Sequence, residues 1–450
     1  MTATLPATPT PAATATRTAT HRAPRPARRA LNTPTALRAL LAGLVLLSLA
    51  WGAFGGWVAA QHSSAADSLV STDERLSLEA REMFQSIGDA GATITAAFLA
   101  SPRPPRGQLQ RYENDLATAH RDESGLQAAG GSPAAVSALA SLGAGLSAYG
   151  GYVGETTAEY AMGYPLTGGS FLQDASGEAH LVLLPAANTV FTQENDALSA
   201  ASGQATELPT MLAALVLALV TAFVLYRAQR WLTGRTNRVL SPGLVLASLL
   251  LVISVIWIAA GFLAARSDLD GGIAHGSRPV QNLALASIGV QQIRGDSVLN
   301  VISRSGSTSF QSDFLATSKK VGPGDGSLLG DAAAAQRAGG QGAGLVATAE
   351  QDATSWYGAN NQVYLLNGKS AYAAERDLIV GTAAGSTATA YTALEGDITN
   401  AILADQAVFD SAATEGANAL DPLAGVVIAA SLLMAAGCAW AVSRRLAEYR

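Results

Sequence analysis

The sequence predicts an all-α membrane protein: four transmembrane helices and two extracytoplasmic helical bundles, arranged as an internal duplication. Three observations predict it. Four apolar runs are each about as long as a bilayer core requires. Basic and acidic residues are segregated between the segments that join those runs. A Ser–Trp pattern in the first run recurs in the third.

The runs are 39–60, 208–226, 243–265 and 423–443, and none contains Asp, Glu, Lys, Arg or His. With 49% hydrophobic and only 14% charged residues over 450 positions, the composition suits membrane segments rather than a soluble fold. The first run follows a long tail, which argues against a cleaved signal peptide. The repeat argues the same way. Ser48, Trp51, Ala53, Gly55 and Ala59 are matched in spacing by Ser254, Trp257, Ala259, Gly261 and Ala265.

Orientation follows from the arginines, because cytoplasmic loops carry the excess of basic residues. They are Arg17, Arg22, Arg25, Arg28, Arg29 and Arg38 in the tail, Arg227, Arg230, Arg235 and Arg238 in the middle loop, and Arg444, Arg445 and Arg450 at the C-terminus. These three segments hold one acid, Glu448. The expected order is a disordered basic cytoplasmic tail at 1–35, a first span at 36–60 and an extracytoplasmic helical domain at 61–207. A second span at 208–226, a basic cytoplasmic loop at 227–242 and a third span at 243–265 follow. The second extracytoplasmic helical domain occupies 266–422, the last span 423–443 and the cytoplasmic C-terminus 444–450.

Within the first domain, Leu76, Leu78, Met83, Phe84 and Ile87 interleave with Asp73, Glu74, Glu79 and Glu82 as on an amphipathic helix. Ser101–Pro105 and Gly130–Pro133 end helices, Tyr164–Gly169 makes a corner, and Pro185 kinks or splits the last helix. The second domain has a helix from Val280 ending near Ser305–Ser307, loops at Val321–Ser327 and Gly339–Gly342, and Trp356 and Tyr357 in a third helix. Each half reads as span, up-down bundle, span.

Marks of catalysis are few. His21, His62, His120, His180 and His275 form no short-spaced ligand pair, so no metal site and no cofactor is expected. Gly324-x-Gly326 lacks the Lys-Ser/Thr of a phosphate loop and reads as a flexible turn. Asp73-Glu74 and Glu375/Asp377 read as solvated helix faces. Cys438, the only cysteine, excludes an intrachain disulfide and reads as a packing residue, with palmitoylation the alternative. Spans without ionisable groups argue against a transporter or proton-driven device. Gly52 and Gly56 make a Gly-x-x-x-Gly pattern, either incidental or a helix-packing seam. The chain is therefore read as no enzyme, with membrane lipid as a partner and nucleic acid as none.

Several stretches carry a family resemblance. They are Leu46–Ala53, Leu76–Ala80, Asp89–Thr93 with Ala96–Leu99, Gly168–Ser176 followed by Leu183–Ala187, Ile293–Asp296 and Phe310–Phe314. Together they resemble the actinobacterial GlnX-type membrane proteins over most of the chain after residue 35. The segment 168–172 departs from the family, which has small residues followed by Tyr-Leu there. The resemblance implies a non-enzymatic relay. A solute-binding lipoprotein of the GlnH type senses aspartate or glutamate outside, and the membrane protein passes this to a cytoplasmic Ser/Thr kinase of the PknG type. The middle loop is too short for an output domain, so in such a relay a separate partner reads the tail, the basic loop and the C-terminus, with Arg227, Arg230, Arg235, Arg238, Arg444 and Arg445 as its docking residues. Acidic outer domains favour docking a loaded protein over capturing a free acidic amino acid. The alternatives are an envelope scaffold protein and an accessory subunit of a transporter. Leu172, Ala175, Leu183 and Leu184 read as bundle core.

Overall fold

The first apolar run forms the front part of a helix that does not end at its last apolar residue. In a computed structural model of the chain, which describes residues 33–236, 241–303, 308–337, 343–369 and 371–447, α1 (Thr33–Ser68) continues through one π turn, Leu69–Asp73, into α2 (Glu74–Ala100). No Pro or Gly-rich break interrupts it before Ser101-Pro102. The π turn inserts a residue and rotates the apolar face of α2 relative to that of α1.

Pro104 and Pro105 restart the chain as α3 (Arg106–Ala129). The next helix, α4 (Pro133–Met162), has Pro133 in its first turn, and Ser132 Oγ accepts from Ala135 N at 3.1 Å. It stops at Gly163, whose φ of 90° and ψ of 20° favour glycine. The expected corner is confined to Gly163 and Tyr164, because Pro165 opens α5 (Pro165–Glu178) and carries Thr167–Gly169 into it. A second π turn, Ala179–Leu183, leads into α6 (Leu184–Ala205). Pro185 does not split the helix; it lies just past the π turn, in the first turn of α6.

A break at Thr206–Glu207 separates α6 from α7 (Leu208–Thr236). The second half opens with α8 (Pro242–Gly272), a third π turn at Ile273–Ser277 and α9 (Arg278–Ser303). The helix expected from Val280 thus continues a span. Then follow α10 (Thr308–Val321), α11 (Leu328–Arg337), α12 (Ala343–Asn367), α13 (Tyr372–Val380) and α14 (Thr387–Ala447), which runs through Pro422 without a break. The expected breaks at Ser305–Ser307 and Gly339–Gly342 lie outside the described residues. The described residues are overwhelmingly helical and contain no strand.

Four helices are long and apolar enough to cross a membrane, within Leu37–Ala100, Pro165–Thr233, Pro242–Ile302 and Thr387–Arg444. In the span region α14 packs between α1 and α8, and α7 closes the ring against α1 and α8. Small residues set this arrangement. A Cβ on Gly52 would overlap Ser431 Oγ, and one on Gly56 would lie 2.9 Å from Ile428. A Cβ on Gly243 would overlap the Gly437 carbonyl. Gly52 and Gly56 are therefore a packing seam of α1 on α14, and Gly243 serves α8 in the same way. Trp51 is 1% exposed and donates from Nε1 to Ser254 Oγ at 3.3 Å, whereas Trp257, its counterpart in the repeat, is 49% exposed. Cys438 is buried in the same core.

Beyond the spans lie two helical cores. Met83, Phe84, Leu142, Leu146, Leu172, Leu183 and Phe191 build the first, and Ala175 and Leu184 belong to it as expected. Phe314, Leu329, Val346, Trp356, Leu394 and Ile398 build the second. The bundles are not independent. The α9 helix sends Ala284, Ile288 and Leu299 into the first core and Leu283, Ala286, Val290 and Ile293 into the second. A helix apolar on two faces is buried on both, so α9 fuses the bundles into one body.

Candidate functional site

The fusion places α2 of the first bundle against α9 of the second, and acidic side chains of α2 reach across to α14. The seam between them concentrates the polar chemistry of the molecule. Nearest the spans, Glu74 on α2 meets Asp410 on α14. Burial first, then the hydrogen bond and charge of Asp410, push the Glu74 carboxyl up to about 8. Arg81 on α2 feels the charges of Glu82 and Asp410, which oppose the lowering of its pKa by burial.

Midway along the seam, Asp89 on α2 faces Glu395 on α14. Gln291 on α9 spans the pair: its Nε2 donates to Asp89 Oδ1 at 2.8 Å and to Glu395 Oε1 at 3.3 Å. Burial, followed by the charge and hydrogen bond of Glu395, pushes Asp89 up to about 8. Arg111, 3.9 Å away on α3, pulls it down and Asp115 pushes it up. Two carboxyls in contact in a poorly solvated place favour sharing a proton over carrying two charges. Beside them the Arg294 guanidinium lies 4.0 Å from the Tyr391 ring centroid.

Further from the spans, His180 in the π turn between α5 and α6 approaches Asp296 on α9, with Nδ1 3.7 Å from Oδ1. At the far end the bundles part around a cleft of about 620 Å³. Its walls come from α2, α4 and α5 on one side and from α9 and α13 on the other. The segments Gly168–Ser176 and Ile293–Asp296, distant in sequence, thus meet across one seam.

Residues 65–203 match the model of an actinobacterial sensor domain. No curated protein matches the chain. The sensor domain spans the end of α1 through nearly all of α6, so it includes the α2 face of the seam and supports a sensing role for the first bundle.

The docking arginines predicted from sequence lie at the opposite end of the spans. Arg227 and Arg230 are exposed on α7, with Arg230 Nη1 3.4 Å from the Tyr226 hydroxyl. Arg444 is exposed on α14, 5.3 Å over the Trp440 ring. Arg235 and Arg445 belong to α7 and α14, and Arg238 lies outside the described residues, as does the tail before Thr33.

Two expectations about carboxylates are corrected. Glu74 is only in part a solvated face, since it meets Asp410 of α14 and is half-buried. Glu375 is fully buried and accepts from Asn367 Nδ2 at 3.0 Å, with burial pushing its carboxyl up. Only Asp377 of that pair is exposed. His62 also gains a role: Nδ1 donates to the Ala205 carbonyl and Nε2 meets Thr210 Oγ1, both at 2.9 Å, which ties α1 to the two sides of the α6–α7 break. Among the described residues no group of three or more His, Cys, Asp or Glu is placed to hold a metal ion. A periodicity argument sees each helix face but not which helix covers it, so Asp89, Gln291 and Glu395 carried no signal. Only their mixture of acids with apolar neighbours hinted at partial burial.

Proposed function

We propose that the chain is a non-enzymatic transmembrane signalling relay. Both bundles face outside the cytoplasm, in a fold that arose by internal duplication. The second half repeats the Ser–Trp span and also the π turn that follows it, Leu69–Asp73 in one half and Ile273–Ser277 in the other. The signal is the presence of aspartate or glutamate, delivered by a solute-binding lipoprotein that docks on the bundles. The output is a cytoplasmic Ser/Thr kinase that reads the tail, the basic loop with Arg227, Arg230, Arg235 and Arg238, and the C-terminus with Arg444 and Arg445.

One observation carries this reading: the helices that form the seam are the same helices that form the spans. Two of them, α1–α2 and α8–α9, join span to bundle through a π turn, and α14 runs the whole distance in one piece. A shift of one bundle against the other must displace α1, α8 and α14 against one another. A ligand or partner drives that shift only by binding one arrangement better. The sensor-domain match over residues 65–203 supports the input end.

Copurification with crosslinking, from native membranes with and without aspartate or glutamate, tests the relay. Expected is recovery of a solute-binding lipoprotein and a soluble kinase in amounts that depend on the amino acid. Recovery of envelope proteins alone, unchanged by either amino acid, would replace the relay with a scaffold. Topology is checked separately in a Cys438→Ser background. A membrane-impermeant maleimide should label Ser124→Cys in intact cells and leave Ser443→Cys unlabelled until the membrane is opened. The reverse pattern would invert the orientation.

A further inference from the structure

The far end of the seam has the size and lining of a small-molecule site. Its volume of about 620 Å³ falls within the range of roughly 300–1,000 Å³ typical of ligand pockets. The apolar part is ordered. Phe98 of α2 packs on Tyr160 of α4 with ring centroids 4.9 Å apart, and Val301 and Ile302 of α9 face them across the cleft. Gly168 keeps Tyr160 in place, because a Cβ there would run into its ring. The polar part is at least as large: Ser170 and Gln173 from α5 and Tyr372 and Arg376 from α13. Among the described lining residues Arg376 is the only charged one, in a chain whose net charge is −6.

The geometry points to this cleft as a binding site for a small amphipathic anion, a molecule with one carboxylate on an apolar body. The apolar body lies between Tyr160 and Ile302, and the carboxylate reaches Arg376. Arg376 Nη2 lies 3.0 Å from Asp377 Oδ1, but those side chains are 52% and 69% exposed. Such a pair is weak, so a ligand carboxylate can compete for the guanidinium, which offers five donors in a planar fork. A bound molecule would touch α2, α4 and α5 of the first bundle and α9 and α13 of the second. It would thereby hold the seam in one arrangement, a second input alongside a docked protein.

The test uses the full-length protein in lipid nanodiscs, with para-trifluoromethyl-phenylacetate as the probe and its neutral primary amide as control. Binding is read by fluorine NMR against empty nanodiscs. Expected is saturable binding of the carboxylate, with the amide at least about tenfold weaker. Arg376→Gln should bring the carboxylate down to the level of the amide. Asp377→Asn, an exposed change that leaves the core untouched, should tighten carboxylate binding by releasing the guanidinium. Equal binding of carboxylate and amide, indifference to both substitutions, or no saturable binding would each overturn the site. The site rests on the sensing reading for its purpose only. Absence of probe binding with amino-acid-dependent copurification intact removes the ligand and keeps the relay; the opposite pair of results keeps the ligand and removes the relay.

Discussion

Replacing Asp89 with Asn should raise the thermal midpoint of the full-length protein at pH 8 and change it little at pH 3.5. The sign follows from linkage. Asp89 has a folded-state pKa raised to about 8 from an ordinary 3.8. Its contribution to stability is therefore complete below the ordinary value and is lost as pH rises through the folded one. The groups facing it are Glu395 on α14, Gln291 on α9, and Arg111 and Asp115 on α3. Only Arg111 opposes the shift. Asn keeps an acceptor for Gln291 Nε2 and offers Glu395 a donor that no pH removes. A gain on the order of 1–3 kcal/mol at pH 8 is expected, the usual scale for relieving a poorly solvated charge.

Glu74→Gln should act in the same direction against Asp410, with a smaller effect because Glu74 is half-exposed. The two sites lie about 22 Å apart along α2 at 1.5 Å per residue, so their effects should add. Hydrogen exchange adds spatial resolution. In the wild type, protection of α2 and α14 should fall between pH 6 and pH 9, while α12 in the second core keeps its protection. A wild-type melting curve with no pH dependence over that range, or an Asp89→Asn variant destabilised at pH 8, would sink this account of the seam.

The second large effect concerns how α1 grips α14. Gly52→Ala places a methyl group on Ser431, whose Oγ and Cβ occupy the space that the new Cβ needs. Overpacking of this kind costs about 1–3 kcal/mol. Ser431→Gly alone should cost about 1 kcal/mol, the ordinary penalty of a glycine inside a helix. The double variant should cost less than the sum, because removing the Ser431 side chain restores the room that the added methyl group takes. Thermal unfolding in detergent or nanodiscs of the two single variants and the double variant measures the coupling. Strict additivity would mean that α1 and α14 do not meet at this point. Because α1 and α14 also flank the seam, the Gly52→Ala variant should weaken amino-acid-dependent copurification of the kinase even where the protein remains folded.

Much of the architecture was legible because it depends on composition over long windows. About twenty uncharged apolar residues in a row mark a span wherever they occur, and the arginines flanking the spans predict a topology without any knowledge of packing. Pro133 marked a helix start, since proline suits a first turn, and Pro102–Pro105 and Pro165 marked breaks between helices. The same punctuation failed at Pro185, which follows a π turn where the hydrogen-bond ladder is already altered. The helices that join spans to bundles were also missed, because the change from apolar to amphipathic composition at residues 60 and 265 looks like a boundary while the backbone hydrogen bonds run on through it.

The sequence by itself determined the all-helical class, the four spans, the segregation of basic and acidic segments and a few core positions of the first bundle. These follow from residue type and period, which belong to one helix at a time. Only the tertiary structure decided that α9 serves both bundles, that Trp51 turns inward while Trp257 faces out, and that Asp89, Gln291 and Glu395 meet across α2, α9 and α14. It also decided that Phe98, Tyr160, Ile302 and Arg376 border one cleft. The physical reason is that burial of a polar side chain is a property of the helix packed over it. That helix lies far away in the chain, beyond the reach of any local pattern.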